Sequence, residues 1–196
     1  MSGDYSRKRF NPEKHYQGVL RQQGRVDLDA DWNEYVDLQD RRWRAETIDV
    51  VGRSGVPDET PDGFKIAVSG GELTVGQGRM YVDGYVAENH GTAPAFEPTL
   101  EEGYGTAALP VKNQPYGGPV TVPAQVRSLV YLDVWRREVT HLQAPDLIEP
   151  AVNVDSTTRY QTAWQVRVLA NIPPDITCDT PLSDIPGWPT GNRSSS

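Results

Sequence analysis

Residues 25–51 are the longest stretch of this chain without a glycine or a proline, and no other feature limits the fold as much. The apolar residues within it, Leu28, Trp32, Tyr35, Val36, Trp43 and Val50, recur at spacings of three, four and seven, near one side of an α-helix. Asp27 or Asp29 is placed to cap the start. Asp29, Asp31 and Glu34 fall in the first turns, where the helix dipole favours negative charge. Arg41, Arg42 and Arg44 lie in the second half, and Asp37 with Arg41 and Asp40 with Arg44 form acid-to-base pairs at i, i+4. Gly52, Gly55 and Pro57 close the segment. A helix over 27–51 spans roughly 36 Å, long for a chain of 196 residues, so it is expected to project. Trp32 and Trp43, three turns apart, share nearly one face of it; they read either as packing within the chain or as contact with a partner.

Beyond residue 63 the apolar period changes from helical spacing to two. Phe64–Val68, Glu72–Val75 and Arg79–Glu88 read as strands, separated by Gly70-Gly71 and by Gly76-Gln-Gly78, with Asp83-Gly84 in the third as a bulge or hairpin turn. Residues 89–124 are rich in proline and glycine and read as a long loop. Arg127–Thr140 and Arg159–Leu169 are the best strand patterns. The first is apolar on both faces, as a central strand would be, with Asp133 the exception. Pro173-Pro174 ends the second, and 171–196, with five prolines, reads as irregular. Before the helix, residues 1–26 are polar and turn-rich and read as an extended arm carrying Tyr16, Val19 and Leu20. The expected fold class is therefore α+β: an extended N-terminal arm and one long helix, followed by a small antiparallel β-sandwich or barrel-like body. The organisation is arm and helix over 1–57, a β domain over 58–172 and a proline-rich tail over 173–196.

A net charge of −8 argues against a nucleic-acid partner, because phosphate binding needs a basic face. Hydrophobic residues make up 37%, below the norm of roughly 45–50%, which predicts a modest core with long loops. The single cysteine, Cys178, allows no internal disulfide, and it has no histidine nearby in sequence to activate it. Met1–Ser6 has no apolar leader, and no run of residues approaches the roughly 20 apolar positions that cross a bilayer. The expected location is the cytoplasm, without membrane insertion.

Residues that could carry chemistry are few. Asp27, Asp29 and Asp31 alternate as in a calcium loop, but the sixth and twelfth positions hold Trp32 and Leu38 in place of glycine and a bidentate glutamate. His15, His90 and His141 lack the spacing of a zinc site. Asp133, between Leu132 and Val134, is a buried carboxyl of raised pKa, the partner of an arginine on the next strand, such as Arg167, or a solvent-facing acid. Gly-x-Ser-x-Gly, phosphate-loop and dinucleotide motifs are all missing from the sequence. No catalytic, cofactor or metal residue is nominated, and the chain is expected not to be an enzyme.

The opening segments Met1-Ser-Gly-Asp-Tyr-Ser-Arg, Phe10-Asn-Pro-Glu-Lys-His-Tyr-Gln-Gly-Val-Leu and Gln22-Gln-Gly-Arg-Val-Asp-Leu-Asp-Ala-Asp-Trp-Asn-Glu carry a specific pattern. With Gly78-Arg-Met-Tyr-Val-Asp-Gly, Val130–Thr140, Thr158-Arg159 and Trp164–Arg167, this pattern resembles a bacterial domain family of unknown function found in gene clusters for contractile injection systems, the phage-tail-like particles. The resemblance runs to about residue 170. Ala151–Asp155 departs from it, where a glycine-rich turn is expected. The resemblance implies a structural component of the baseplate or fibre region, assembled into the particle, with the arm and helix as attachment element. On this reading Tyr16, Val19, Leu20, Leu28, Trp32, Tyr35, Val36 and Trp43 form the partner interface. The partners are other baseplate, sheath or fibre proteins, together with further copies of the chain. Two other readings compete. One is a carbohydrate-binding module that uses Tyr81, Tyr85, Tyr104 and Tyr116 as stacking platforms. The other is the front domain of a polysaccharide-degrading enzyme whose catalytic part lies past Ser196.

Overall fold

Helix formation follows the sequence closely. In a computed structural model describing residues 3–69, 72–92, 107–120, 123 and 125–189, α1 covers Asp29–Val51 and stops where Gly52 takes a positive φ. The strands are β1 (Ser54–Gly55), β2 (Ile66–Ser69), β3 (Glu72–Val75), β4 (Gly78–Val82), β5 (Tyr85–Asn89), β6 (Leu109–Pro110), β7 (Ser128–Val139), β8 (Ile148–Glu149), β9 (Val154–Asp155) and β10 (Arg159–Ala170). Single 3-10 turns at Pro12–Lys14, Val111–Asn113, Pro145–Leu147 and Leu182–Asp184 complete the regular structure. The class is thus α+β with a strand-rich body. Among the described residues no sheet closes on itself, so the barrel-like expectation is not met there; the sheets have two or three strands each. Much of the loop expected over 89–124, Tyr104 included, lies outside the described residues, as does the tail from residue 190.

The chain divides into two compact units. One takes the residues up to Gly55 with Asp83–Tyr85 and Glu138–Gln161; the other takes Val56–Val82, Val86–Arg137 and the chain from Thr162 onward. In the second unit β2 pairs antiparallel with β3, Ile66 opposite Val75, and β3 pairs with β6, Val75 opposite Leu109. The long pattern expected over 79–88 is two strands. Asp83 (φ 47°) and Gly84 (φ 77°) both take positive φ, the combination a two-residue type I′ hairpin turn requires.

β7 and β10 pair with each other, so β7 is not a central strand among the described residues. Its two apolar faces have another cause: a cluster on each side. Val130, Leu132 and Val134 pack with Phe64, Val75, Ala87, Val111, Trp164 and Val166. The alternate residue Leu129 joins Leu169 of β10 against Ile172, Ile176, Ile185 and Trp188, and the Tyr131 ring lies 4.6 Å from that of Trp188. Ile176, Ile185 and Trp188, in the described part of the chain after Pro173, therefore serve as cover for one face of this sheet.

Two buried amides close the polar accounts of the first cluster. Asn89 donates to the carbonyls of Val75 and Gly76 (3.2 and 2.9 Å) and accepts from the Gly91 N–H at 3.0 Å. Gln114 accepts the Val166 N–H at 2.8 Å and donates to the Gly118 carbonyl at 2.8 Å, standing in for a neighbouring strand along β10.

Candidate functional site

The acids at the start of α1 do not converge on a common point. Asp27 pairs with Arg21 at 3.3 Å, and Asp31 pairs with Arg9. The Asp29 carboxylate accepts the Ser6 N–H at 2.8 Å and the Ser6 hydroxyl at 2.6 Å. Each acid thus fastens a different residue of the preceding segment, a role that uses alternate acids as a calcium loop would but needs no cation. Among the described residues no three metal-binding side chains gather. The expected side-chain cap is also absent. Leu28 is the N-cap and makes no capping bond, because its side chain carries no acceptor, and the Asp29 carboxylate one residue on is engaged by Ser6. A second fastening holds the chain start, where Glu138 accepts both the Gly3 N–H and the Tyr5 hydroxyl, the latter at 2.6 Å. Burial first, and then donation to Glu138, pushes the Tyr5 hydroxyl pKa up.

The Ser6 hydroxyl, followed by its N–H, holds Asp29 below the usual carboxylate range. Because the folded value is the depressed one, this contact stabilises the fold above the unfolded pKa of about 3.9 and is lost as pH falls through the folded value. In Ser6→Ala, carbon-detected NMR titration is expected to show Asp29 moving up toward the ordinary value. An unchanged titration would remove the hydroxyl from this role.

With its acids turned to these tasks, α1 presents its aromatic face outward. Only Ala30 and Leu38 of the helix are buried, whereas Trp32 is 62% exposed, Trp43 70% and Val50 80%. At 100° per residue, Trp32, Trp43 and Val50 fall within 20° of one another, with Leu28, Tyr35 and Val36 to either side. The helix is therefore apolar on the side away from its own unit, against the usual arrangement. Its other side is fixed by polar contacts. Arg44 donates to the Asp83 carbonyl at 3.2 and 3.4 Å and lies over the Tyr85 ring at 4.1 Å.

Of the eight residues expected at an interface, Val19, Leu20, Leu28, Trp32 and Tyr35 line one groove of about 520 Å³, together with Arg21, Arg25 and Val26. Trp32 and Tyr35 stand 6.1 Å apart in it. Val36 belongs to a smaller hollow of about 240 Å³ on the other flank of Trp32, beside Tyr5, Thr158 and Tyr160. Tyr16 lies under the Lys14 ammonium at 5.8 Å, and Trp43 stands farther along the helix, outside both hollows. The fastening residues Tyr5, Ser6, Arg9 and Glu138 carried no signal in the sequence, because each is defined only by a partner distant along the chain.

The remaining candidates have structural surroundings. Arg167 Nε lies 3.0 Å from an Asp133 carboxylate oxygen, as the sequence allowed, although its N–H does not point at that oxygen. His141 Nδ1 is 2.7 Å from the Asp155 carboxylate, His15 adopts a positive φ behind the first 3-10 turn, and Cys178 is exposed. Ala151–Asp155, which departs from the expected glycine-rich turn, forms part of the β8–β9 hairpin with Asn153 at φ 54°. Of the tyrosines proposed as sugar platforms, Tyr85 has its ring face covered by Arg44, while Tyr116 packs against Trp135 at 6.2 Å and Arg137 at 5.1 Å. No helix of the described residues is long and apolar enough to cross a membrane.

Neither a curated protein nor a solved structure matches the chain. A family model does, over residues 1–183, which takes in the groove beside α1; the chain belongs to the family of unknown function DUF6519.

Proposed function

We propose that this chain is a non-catalytic structural subunit of a phage-tail-like contractile injection particle, seated in the baseplate or fibre region by the outward face of α1. It is made in the cytoplasm and assembled with other particle proteins. Residues 1–26 and α1 serve as the extended attachment element, and the strands form a sandwich-like platform. The observation that carries the reading is the exposure of Trp32 and Trp43 on one face of a helix whose opposite side buries Ala30 and Leu38 and is gripped at Arg44 by the Asp83 carbonyl. Large rigid aromatics held in water are the residues that most often dominate a protein interface. The particle itself enters through the motif resemblance, and the net charge of −8 turns the reading away from nucleic acid.

The test is to purify particles from cells producing Trp32→Ala or Trp43→Ala protein. Both variants are expected to be missing from the particle while keeping wild-type far-UV circular dichroism in isolation. Incorporation of both at wild-type levels would discard the proposal.

A further inference from the structure

Residues 3–9 are attached to their unit differently from the rest of the chain. None of them is buried, and among the described residues they make no main-chain to main-chain hydrogen bond. Three carboxylates hold them. Glu138 takes the Gly3 N–H and the Tyr5 hydroxyl, Asp29 the Ser6 N–H and hydroxyl, and Asp31 the Arg9 guanidinium. The Tyr5 oxygen, having donated to Glu138, accepts from the Thr158 hydroxyl at 2.6 Å. Asp29 and Asp31 stand in the first turn of α1 and Glu138 at the end of β7, so this short segment bridges two elements of one unit.

Charge-assisted bonds to carboxylates are directional and fix the path of the segment. With no side chain buried and no ladder hydrogen bond, little else opposes its departure. Segments of that kind open at far lower free energy than a core strand. The anchors are also too close along the chain to act separately. Tyr5 and Ser6 are neighbours whose acceptors lie on different elements, so Tyr5 leaving Glu138 swings the peptide that presents the Ser6 N–H to Asp29.

The place of the segment gives it a use. Through Tyr5 and the three basic residues at 7–9 it forms one wall of the hollow of about 240 Å³, and Trp32, Val36 and Tyr160 stand in the other. Lifting it opens that hollow and continues the exposed stripe of α1 around its flank, from Trp32 through Val36 to Tyr160, itself 50% exposed.

We propose that residues 3–9 are a displaceable strap, latched by Glu138, Asp29 and Asp31, that lifts as one piece while its unit stays folded and uncovers the flank of α1 at Val36. The strap rests on these contacts alone. Its use, to withhold part of the docking face until it lifts, rests on the reading of α1 as an assembly surface.

The test reads each anchor through the other, by amide–water exchange in magnetisation-transfer NMR of the full chain. Tyr5→Phe takes a donor from Glu138 and leaves Asp29 untouched. The Ser6 N–H is nevertheless expected to exchange about tenfold faster, the effect of one hydrogen bond to a charged acceptor lost from a shared opening. Asp29→Ala is expected to do the same to the Gly3 N–H. In both variants the amides in the second half of α1 keep their rates. Thiol labelling of Val36→Cys protein, also carrying Cys178→Ser, is expected to be about tenfold faster when Tyr5→Phe is added. In cells producing both forms, Tyr5→Phe protein is expected to outnumber wild type in purified particles.

Exchange that rises only at the residue whose own contact was removed would show independent contacts and overturn the strap. So would equal acceleration throughout α1, or labelling of Val36→Cys indifferent to Tyr5→Phe. Coupled exchange with equal shares in the particle would overturn the withholding role. Coupled exchange in a protein whose Trp32→Ala variant still enters particles keeps the strap and discards the assembly surface; independent exchange with Trp32→Ala excluded does the reverse.

Discussion

Trp164→Ala is expected to lower the stability of the unit containing it by about 3–5 kcal/mol, a large share of the roughly 5–15 kcal/mol a domain holds in total. The indole is 3% exposed and meets Phe64 edge-on, ring centres 5.0 Å apart at 85°. Its Nε1–H donates to the Glu88 carbonyl at 2.6 Å. Alanine would leave a cavity bordered by Phe64, Val75 and Val166 and would take a donor from that carbonyl. Trp164→Phe weights the two losses differently, since it removes the donor outright but keeps a six-membered ring and so opens a smaller cavity than alanine. About 1–2 kcal/mol is expected from it. Urea unfolding followed by far-UV circular dichroism measures both. A cost below about 1 kcal/mol for the alanine variant would mean that this cluster is not the core of its unit.

Gly84→Val acts in the other unit and is expected to cost about 2–5 kcal/mol, the sum of backbone strain and steric overlap. Gly84 sits at φ 77°, where a β-branched residue is a genuine outlier. A Cβ there would lie 2.7 Å from the Arg44 carbonyl oxygen and 2.9 Å from the Arg44 Cα, both backbone atoms of α1 that cannot step aside. The helix would be driven off the turn that Arg44 grips through the Asp83 carbonyl and the Tyr85 ring. Gly24→Ala is the control. Gly24 has φ 70° with open space around it, so only the conformational cost of about 1 kcal/mol should register. Equal losses in thermal unfolding for the two variants would show that the contact with Arg44 contributes nothing.

How far the sequence could be read depended on whether each signal was local. The helix was legible because its period, its acids and its terminating glycine all lie within residues 27–52, and the observed Asp29–Val51 differs from expectation by two residues at one end. Glu72–Val75 is as expected, and the alternation in Ser128–Val139 and Arg159–Ala170 marked both long strands to within a residue. Asp83-Gly84 was recognised as a turn candidate, since that dipeptide suits a backbone with two positive φ values. The apolar positions on both faces of Ser128–Val139 were also read correctly. Their cause was not: the second cover comes from Ile176, Ile185 and Trp188, in a proline-rich stretch with no period to betray it.

The sequence by itself determined which residues of α1 share a stripe, because helical geometry is a property of the local chain. Only the tertiary structure decided which way that stripe faces. The direction is set by Ser6 on Asp29, Arg9 on Asp31 and Arg44 on Asp83, contacts between residues 22 to 39 positions apart. Hydrophobic periodicity alone would have turned the tryptophans inward, since burial is the default for an apolar face. These pairings, with Ala30 and Leu38 buried on the opposite side, leave them in water, and long-range pairings of this kind have no signature in the spacing of residues along a chain.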